Sequence, residues 1–155
     1  MSEALSIATL SFDGGGRLGI CRMPGLFGEL GSDVIAIAEW RPTLVLSLTE
    51  HSEMQQQGSE NAGIDWLHLP IRDYGGPEGN SRNAWPHLAA RLHKILNEGG
   101  SILLHCRGGQ GRSGMIALRI LVERGEEVSV ALTRLRSERP GAVETEAQLI
   151  WASEA

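Results

Sequence analysis

Strands that alternate with helices along the chain predict an α/β fold, a central and mostly parallel sheet of about four or five strands with helices on both faces. Three observations carry that expectation. Residues 43–48 and 101–105 are short apolar runs bounded by turn formers, the pattern of strands buried on both sides. From residue 81 to 97, Trp85, Leu88, Ala89, Leu92, Ile95 and Leu96 recur at helical period. A second apolar run, Met115 to Val122, follows a glycine-rich turn placed directly after residues 101–105.

Taken in order, residues 7–12 alternate weakly and suit an edge strand, after which Asp13 and three glycines turn the chain. Residues 18–21 form a short second strand, broken by Met23-Pro24-Gly25. Ser32 or Asp33 caps a helix through Trp40, with Val34, Ile35, Ile37 and Ala38 as its apolar side and Pro42 marking its end. Residues 43–48 are the next strand. Residues 49–57 read as a polar helix ended by Gly58, in which Glu50, His51 and Glu53 form a solvated face rather than a metal site. A strand over 64–69 runs into a loop, 70–77, rich in turn formers. The helix of 81–97 is stopped by Gly99 and Gly100, and residues 101–105 supply the central strand. Helices over 113–124, over 128–135 with an end near Pro140-Gly141, and over 144–151 complete the chain.

The functional expectation rests on the turn after the central strand, His105-Cys106-Arg107-Gly108-Gly109-Gln110-Gly111-Arg112-Ser113-Gly114. Three glycines between Cys106 and Arg112 let the backbone fold tightly with its N–H groups turned inward, a concavity suited to a phosphate-like dianion. Arg107, Gly108, Gly109, Gln110, Gly111 and Arg112 would supply those amides, and the Arg112 guanidinium would grip two equatorial oxygens as a planar fork. At a helix N-terminus, ringed by amides and an arginine, a cysteine favours its thiolate, so Cys106 is the expected nucleophile. The Ser113 hydroxyl can donate to the sulfur and steady it as a leaving group. His105 is expected to brace the loop through backbone hydrogen bonds rather than to move protons.

Displacing an alkoxide or phenoxide from phosphorus requires a proton on the leaving oxygen. Asp73 is the candidate acid. It lies 33 residues before Cys106, at the end of a strand expected near the central one, on a glycine-containing loop; Asp65 and Glu78 are the alternatives.

With 155 residues, 41% of them hydrophobic, the chain is expected to form a single domain, residues 1–155. No run approaches the length of a membrane span, and the first residues lack a basic start followed by an apolar stretch, so a cytoplasmic protein without integral membrane contact is expected. A net charge of -5 argues against general nucleic-acid binding, although Arg72, Arg107 and Arg112 promise a local positive patch. Cys21 and Cys106 could form at most one bridge, which would disable the nucleophile, and a reducing compartment follows. No cofactor and no metal are expected, and a monomer is.

The run from His105 to Gly114 resembles the signature loop of the cysteine-dependent protein tyrosine phosphatase superfamily, in its dual-specificity-like branch. Gly19-Ile20-Cys21-Arg22-Met23-Pro24-Gly25, the segment from Leu67 to Asp73, and Leu135-Arg136 with Gly141 to Gln148 resemble, in order and spacing, segments of kinase-associated phosphatases and their bacterial relatives. The similarity covers most of residues 18–151. It implies a tyrosine-phosphatase-like fold and hydrolysis of phosphomonoesters through a phosphocysteine, with a phosphorylated protein or a small phosphomonoester as substrate. At the Asp73 position the resemblance implies the general acid, which later activates water. One departure stands out. Where the wider family orients that water with a Gln-Thr-x-x-Gln segment, this chain has Glu144-Thr145-Glu146-Ala147-Gln148, so Gln148 matches and Glu144 does not. Either Glu144 points away, as an exposed residue in the first turn of a helix, or water positioning falls to Asp73 and Gln148. Three alternatives stay open: a phosphoinositide phosphatase, a phosphate-binding pseudophosphatase, and a rhodanese-type sulfurtransferase, against which the adjacent Arg112-Ser113 pair and the separate acid loop argue.

Overall fold

The computed structural model describes residues 4–26, 29–54 and 64–155. Five strands form one sheet: β1 (Ala8–Ser11), β2 (Arg17–Cys21), β3 (Leu44–Ser47), β4 (Asp65–His68) and β5 (Ser101–His105), in the order β1-β2-β5-β3-β4. Only the β1–β2 pairing is antiparallel, and β5 sits between β2 and β3, parallel to both. The expected α/β class and mostly parallel sheet are therefore present.

Period-two alternation sends the side chains of the central strand to two different cores. Ile102 and Leu104 of β5, with Leu18 and Ile20 of β2 and Leu44 and Leu46 of β3, face the larger one. That side is covered by α2 (Gly79–Asn97), α3 (Gly111–Glu123), α4 (Val128–Glu138) and α5 (Glu146–Ser153). On the other face Leu103, Val45 and Cys21 meet Ile37 and Trp40 of the single helix α1 (Leu30–Trp40). Helices cover both faces, but among the described residues four lie on one and one on the other. The helix that follows the signature loop, α3, is buried over most of its length, from Gly111 through Leu118. It is the central helix as β5 is the central strand.

Several boundaries differ from the sequence reading. Neither Ser32 nor Asp33 caps α1: the N-cap is Glu29, and Asp33 is buried in the first turn, where it accepts from Arg22 Nη1 at 2.8 Å and from the Gly25 amide at 2.7 Å. A carboxylate with a guanidinium partner gains more there than as a cap. Ile35, assigned to the apolar side, is 60% exposed, and Ala38 is exposed as well. The helix stops at Trp40 because Arg41 adopts a left-handed conformation (φ 62°) that returns its N–H to Ala38. Of the polar helix expected over 49–57, only a single 3-10 turn, His51–Met54, is present; residues 55–57 and Gly58 lie outside the described residues. Helix α5 begins at Glu146, with Thr145 as N-cap in a capping box with Gln148, so Glu144 precedes the helix instead of forming its first turn.

Leu118 is fully buried in the larger core. Leu118→Ala is expected to lower the unfolding free energy by about 3 kcal/mol. The check is urea denaturation, read as a lower midpoint at unchanged slope.

Candidate active site

The loop between β5 and α3 starts at Cys106, whose sulfur accepts a hydrogen bond from Ser113 Oγ at 3.0 Å. Its backbone carbonyls are engaged on the outside. The Arg107 carbonyl accepts from the Met23 N–H (3.0 Å), that of Gly108 from Arg139 Nη2 (3.0 Å), and that of Gly109 from Arg139 Nε (2.7 Å). The Gln110 carbonyl takes the amides of Gly114 (2.8 Å) and Val143 (3.3 Å). In a trans peptide the following N–H points opposite to the carbonyl, so the amides of Gly108, Gly109, Gln110 and Gly111 turn the other way. Gly109 is indispensable to this arrangement, because φ is +72° and a Cβ there would stand 2.6 Å from the Cys21 carbonyl carbon.

Arg112, on the first turn of α3, has a side chain only 1% exposed. Nη1 donates to Glu53 Oε1 (2.6 Å) and to the Ile71 carbonyl (2.9 Å), and Nη2 donates to Glu53 Oε2 (2.9 Å) with Asp73 Oδ1 at 3.4 Å. Among the described residues its Nε is a buried donor with no acceptor. Burial alone would lower the pKa of the guanidinium; the Glu53 hydrogen bonds and the nearby Cys106 outweigh it and raise it above its ordinary value. Glu53, whose side chain is 15% exposed, is correspondingly held below the usual carboxylate range by the Arg112 hydrogen bonds. Glu53 is thus not part of a solvated face, as its sequence context suggested. Its carboxylate is the fork that orients Arg112.

Asp73 reaches the site from an edge strand, since β3 separates β4 from β5. The loop after β4 carries it there: Ile71 contributes its carbonyl to Arg112, and Asp73, 43% exposed, accepts from the Tyr74 N–H at 3.0 Å. Tyr74 has φ 63°, a conformation costly for a residue with a side chain. Thr145 Oγ1 holds its carbonyl at 3.0 Å. The two alternative acids are elsewhere. Asp65 begins β4, at the end of the sheet opposite the loop, and pairs with Arg91 at 3.5 Å; Glu78 is the N-cap of α2 and faces Arg72 at 3.8 Å.

His105 is fully buried, with Nδ1 3.4 Å from the Cys106 carbonyl and Nε2 2.5 Å from Ser47 Oγ. Burial pushes its pKa down to about 4. A neutral ring has one N–H; with Nδ1 donating to the carbonyl, Nε2 accepts from the Ser47 hydroxyl, which itself accepts from Trp66 Nε1. His105 thus links the Cys106 carbonyl to Ser47 of β3 and, through that hydroxyl, to Trp66 of β4. Burial likewise pushes the Cys21 thiol up to about 12, and Cys21 faces the α1 side of the sheet whereas Cys106 belongs to the α3 side. Arg107 and Gly108 stand exposed at the rim, while Gln110 folds its amide against Gly141. Gln148 reaches the site with both polar atoms engaged: Oε1 accepts from the amides of Glu144 and Thr145, and Nε2 lies 3.4 Å from the Gly75 carbonyl. The Glu144 carboxylate rests against Gly111.

Two contributors escaped the sequence reading. Glu53 looked like one acidic residue among several in a polar stretch. Arg139 was not singled out, and its position just before Pro140-Gly141 is the signal that could have marked it.

A mostly parallel sheet whose central strand delivers a cysteine and an arginine through a glycine-rich loop defines the cysteine-dependent tyrosine and dual-specificity phosphatase superfamily. Within it, the chain belongs to the Tc-R-P family, described as a polymorphic toxin system, DSP-PTPase phosphatase, whose family model matches residues 31–126. It is 32% identical over 111 residues to the putative tyrosine phosphatase 067L of Invertebrate iridescent virus 3, covering 68% of this chain and 46% of that protein. To dual specificity phosphatase 28 of Mus musculus it is 26% identical over 98 residues, 63% of this chain and 59% of that one. The chain spans about half the length of the curated relatives it matches. Among solved structures, the active form of Tk-PTP superposes with a TM-score of 0.74 at 29% identity, covering 95% of this chain and 96% of that one. Kinase associated phosphatase carrying serine for its catalytic-site cysteine gives a TM-score of 0.85 at 23% identity, with 99% and 95% covered, which shows the shared fold.

The buried imidazole makes stability pH-dependent. In the folded chain His105 stays neutral down to about 4, whereas unfolded it takes a proton below 6.5, so its contribution is complete above pH 6.5 and is lost as the pH falls toward 4. The expected loss is on the order of 3 kcal/mol. Below about 4.5 protonation of Glu53 adds to it. Urea unfolding across this range checks the prediction, and a flat profile between pH 6.5 and 4.5 would refute it.

Proposed function

We propose that the chain is a phosphomonoester hydrolase acting through a phosphocysteine, with phosphorylated proteins as its substrates. The observation that carries this reading is the unpaired, buried Nε of Arg112, a fixed cationic donor in the same loop as a sulfur already accepting from Ser113. A phosphoryl oxygen satisfies that donor, and the amides turned inward by residues 108–111 take the others.

In the first step the Cys106 thiolate attacks phosphorus, the bond to the leaving oxygen breaks, and Asp73 gives that oxygen its proton. The loop amides and Arg112 hold the equatorial oxygens throughout, so catalysis is positioning and charge stabilisation. In the second step water attacks the phosphocysteine, a carboxylate accepts its proton, and inorganic phosphate leaves with the thiolate restored. A thiolate that must stay reduced suits the cytoplasm. Among the described residues no helix is long and apolar enough to cross a membrane.

Cys106→Ser is expected to cut release of nitrophenol from p-nitrophenyl phosphate by about a thousandfold or more at unchanged thermal stability; activity within tenfold of the parent would overturn the mechanism. Asp73→Asn is expected to lower kcat by about a hundredfold with KM nearly unchanged. Unaltered kcat would remove Asp73 from the reaction.

A further inference from the structure

Resting on the two-step reading above, in which Asp73 protonates the leaving group, we propose that Arg119 is a positioning residue for that proton transfer. It fixes helix α5, and α5 holds the acid loop, residues 70–77, in place beside Arg112.

Helix α5 meets three consecutive residues of that loop. Thr145, its N-cap, donates through Oγ1 to the Tyr74 carbonyl (3.0 Å), and Gln148 Nε2 lies 3.4 Å from the Gly75 carbonyl. Gly76 packs so near Trp151 that a Cβ there would stand 3.5 Å from the tryptophan side chain. Tyr74 lies between Asp73 and these contacts in a left-handed conformation, φ 63°, which a residue with a side chain keeps only where its surroundings impose it. Its N–H donates to Asp73 Oδ1 (3.0 Å), the same oxygen that lies 3.4 Å from Arg112 Nη2. An unbroken series of contacts therefore runs from α5 to the acid carboxylate.

A ring of side chains from α2 and α3 fixes α5. With eight residues the helix is too short to be stable by itself, so packing sets its position. Arg119 donates through Nη1 to the Trp151 carbonyl (2.7 Å) in the last turn of α5, and its guanidinium lies over the Trp151 ring, 4.5 Å from the centroid. Its Nε donates to Glu123 Oε2 (2.7 Å). Glu123 is anchored in turn by α2: Trp85 Nε1 donates to Oε2 (2.9 Å) and His93 Nε2 to Oε1 (2.8 Å). Burial would raise the pKa of this carboxyl; the hydrogen bonds from His93, Trp85 and Arg119 outweigh it and hold it below its ordinary value. Trp85 closes the ring by meeting Trp151 edge to face, with centroids 5.3 Å apart. Without the guanidinium, the last turn of α5 loses this tie to α3. Arg119 stands about two turns beyond Arg112 on α3, roughly 10 Å along the helix, so it acts on the reaction through α5 and the acid loop.

The test compares two substrates by kcat/KM, which reports the phosphorylation step. Phenyl phosphate expels a basic phenoxide that needs the proton of Asp73, whereas 2,4-dinitrophenyl phosphate expels one that leaves without it. Arg119→Met keeps an apolar stem against Trp151 and removes the guanidinium. It is expected to lower kcat/KM for phenyl phosphate by about tenfold and to leave that for 2,4-dinitrophenyl phosphate within about twofold. Glu123→Gln is expected to shift the same ratio in the same direction by a smaller factor. The ratio does not depend on how much of the protein is folded, so a loss of stability alone does not produce it. In an Asp73→Asn background, Arg119→Met is expected to lower kcat/KM for phenyl phosphate no further, because the acid it positions is already absent. Equal losses on both substrates, no loss on either, or a loss that adds in full to that of Asp73→Asn overturns this assignment alone. An Asp73→Asn protein with unchanged kcat/KM for phenyl phosphate overturns the acid reading and this assignment with it.

Discussion

Everything in the site depends on how one buried positive charge is held. Arg112 projects from the start of α3 into a space with 1% exposure, and a guanidinium left there without acceptors would be prohibitively costly. Glu53 resolves this by accepting from both Nη atoms, and the Ile71 carbonyl takes a further N–H. Three of the five N–H groups are thereby assigned, Nη2 also forms an ion pair with Asp73 Oδ1 at 3.4 Å, and Nε, among the described residues, is buried with no acceptor. The fork cannot rotate without breaking a bidentate pair, so the direction in which it offers its last donor is fixed before any ligand arrives. A lysine, with a single point charge on a flexible stem, would lose both the bidentate grip and the fixed direction.

Directionality in the backbone comes from a matching device. The outer carbonyls of the loop are each given a partner from a different part of the chain: Met23 after β2, Arg139 after α4, and Val143 before α5. Because each peptide is planar and trans, fixing a carbonyl outward fixes the next amide inward. The concavity is therefore maintained from behind by segments distant in sequence, and its rigidity is a property of the whole fold rather than of ten residues. The 3-10 turn that carries Glu53 and the loop that carries Asp73 belong to the same construction, since both reach Arg112 from the carboxyl ends of β3 and β4.

Much of this was readable from the sequence because it is local. The strand–loop–helix frame around Cys106, the three glycines and the contact of the Ser113 hydroxyl with the Cys106 sulfur all concern neighbours within a few residues, and the alternation of apolar runs predicted the parallel sheet. What escaped was tertiary. Glu53 is 59 positions from Arg112 in the chain, in a stretch whose composition looks like solvated surface, and no spacing rule connects them. Asp33 looked like a helix cap because aspartate at a helix start usually is one; a buried arginine eleven residues earlier claimed its carboxylate instead. Glu144 was misplaced by two residues for a related reason: Thr145 and Gln148 form the capping box, which pushes the helix start beyond residue 144 and leaves the carboxylate free to fold back.

The charge balance of the mouth follows from these placements. Around the loop stand Arg112, with Arg107 at the rim, against Glu53, Asp73 and Glu144, so the formal charges of the nearby side chains do not by themselves favour a dianion. Glu53 in particular neutralises most of what Arg112 would offer at a distance. On the proposed reading, attraction for an oxyanion comes at short range, from the inward amides, from the N-terminal end of the long buried helix α3, and from the buried Nε–H of Arg112. Such donors act only on oxygens lodged among them, where the low-dielectric surroundings strengthen each hydrogen bond, and they contribute little to long-range steering on a body of net charge -5. On that reading, a site built this way discriminates by the shape and number of oxygens rather than by overall charge.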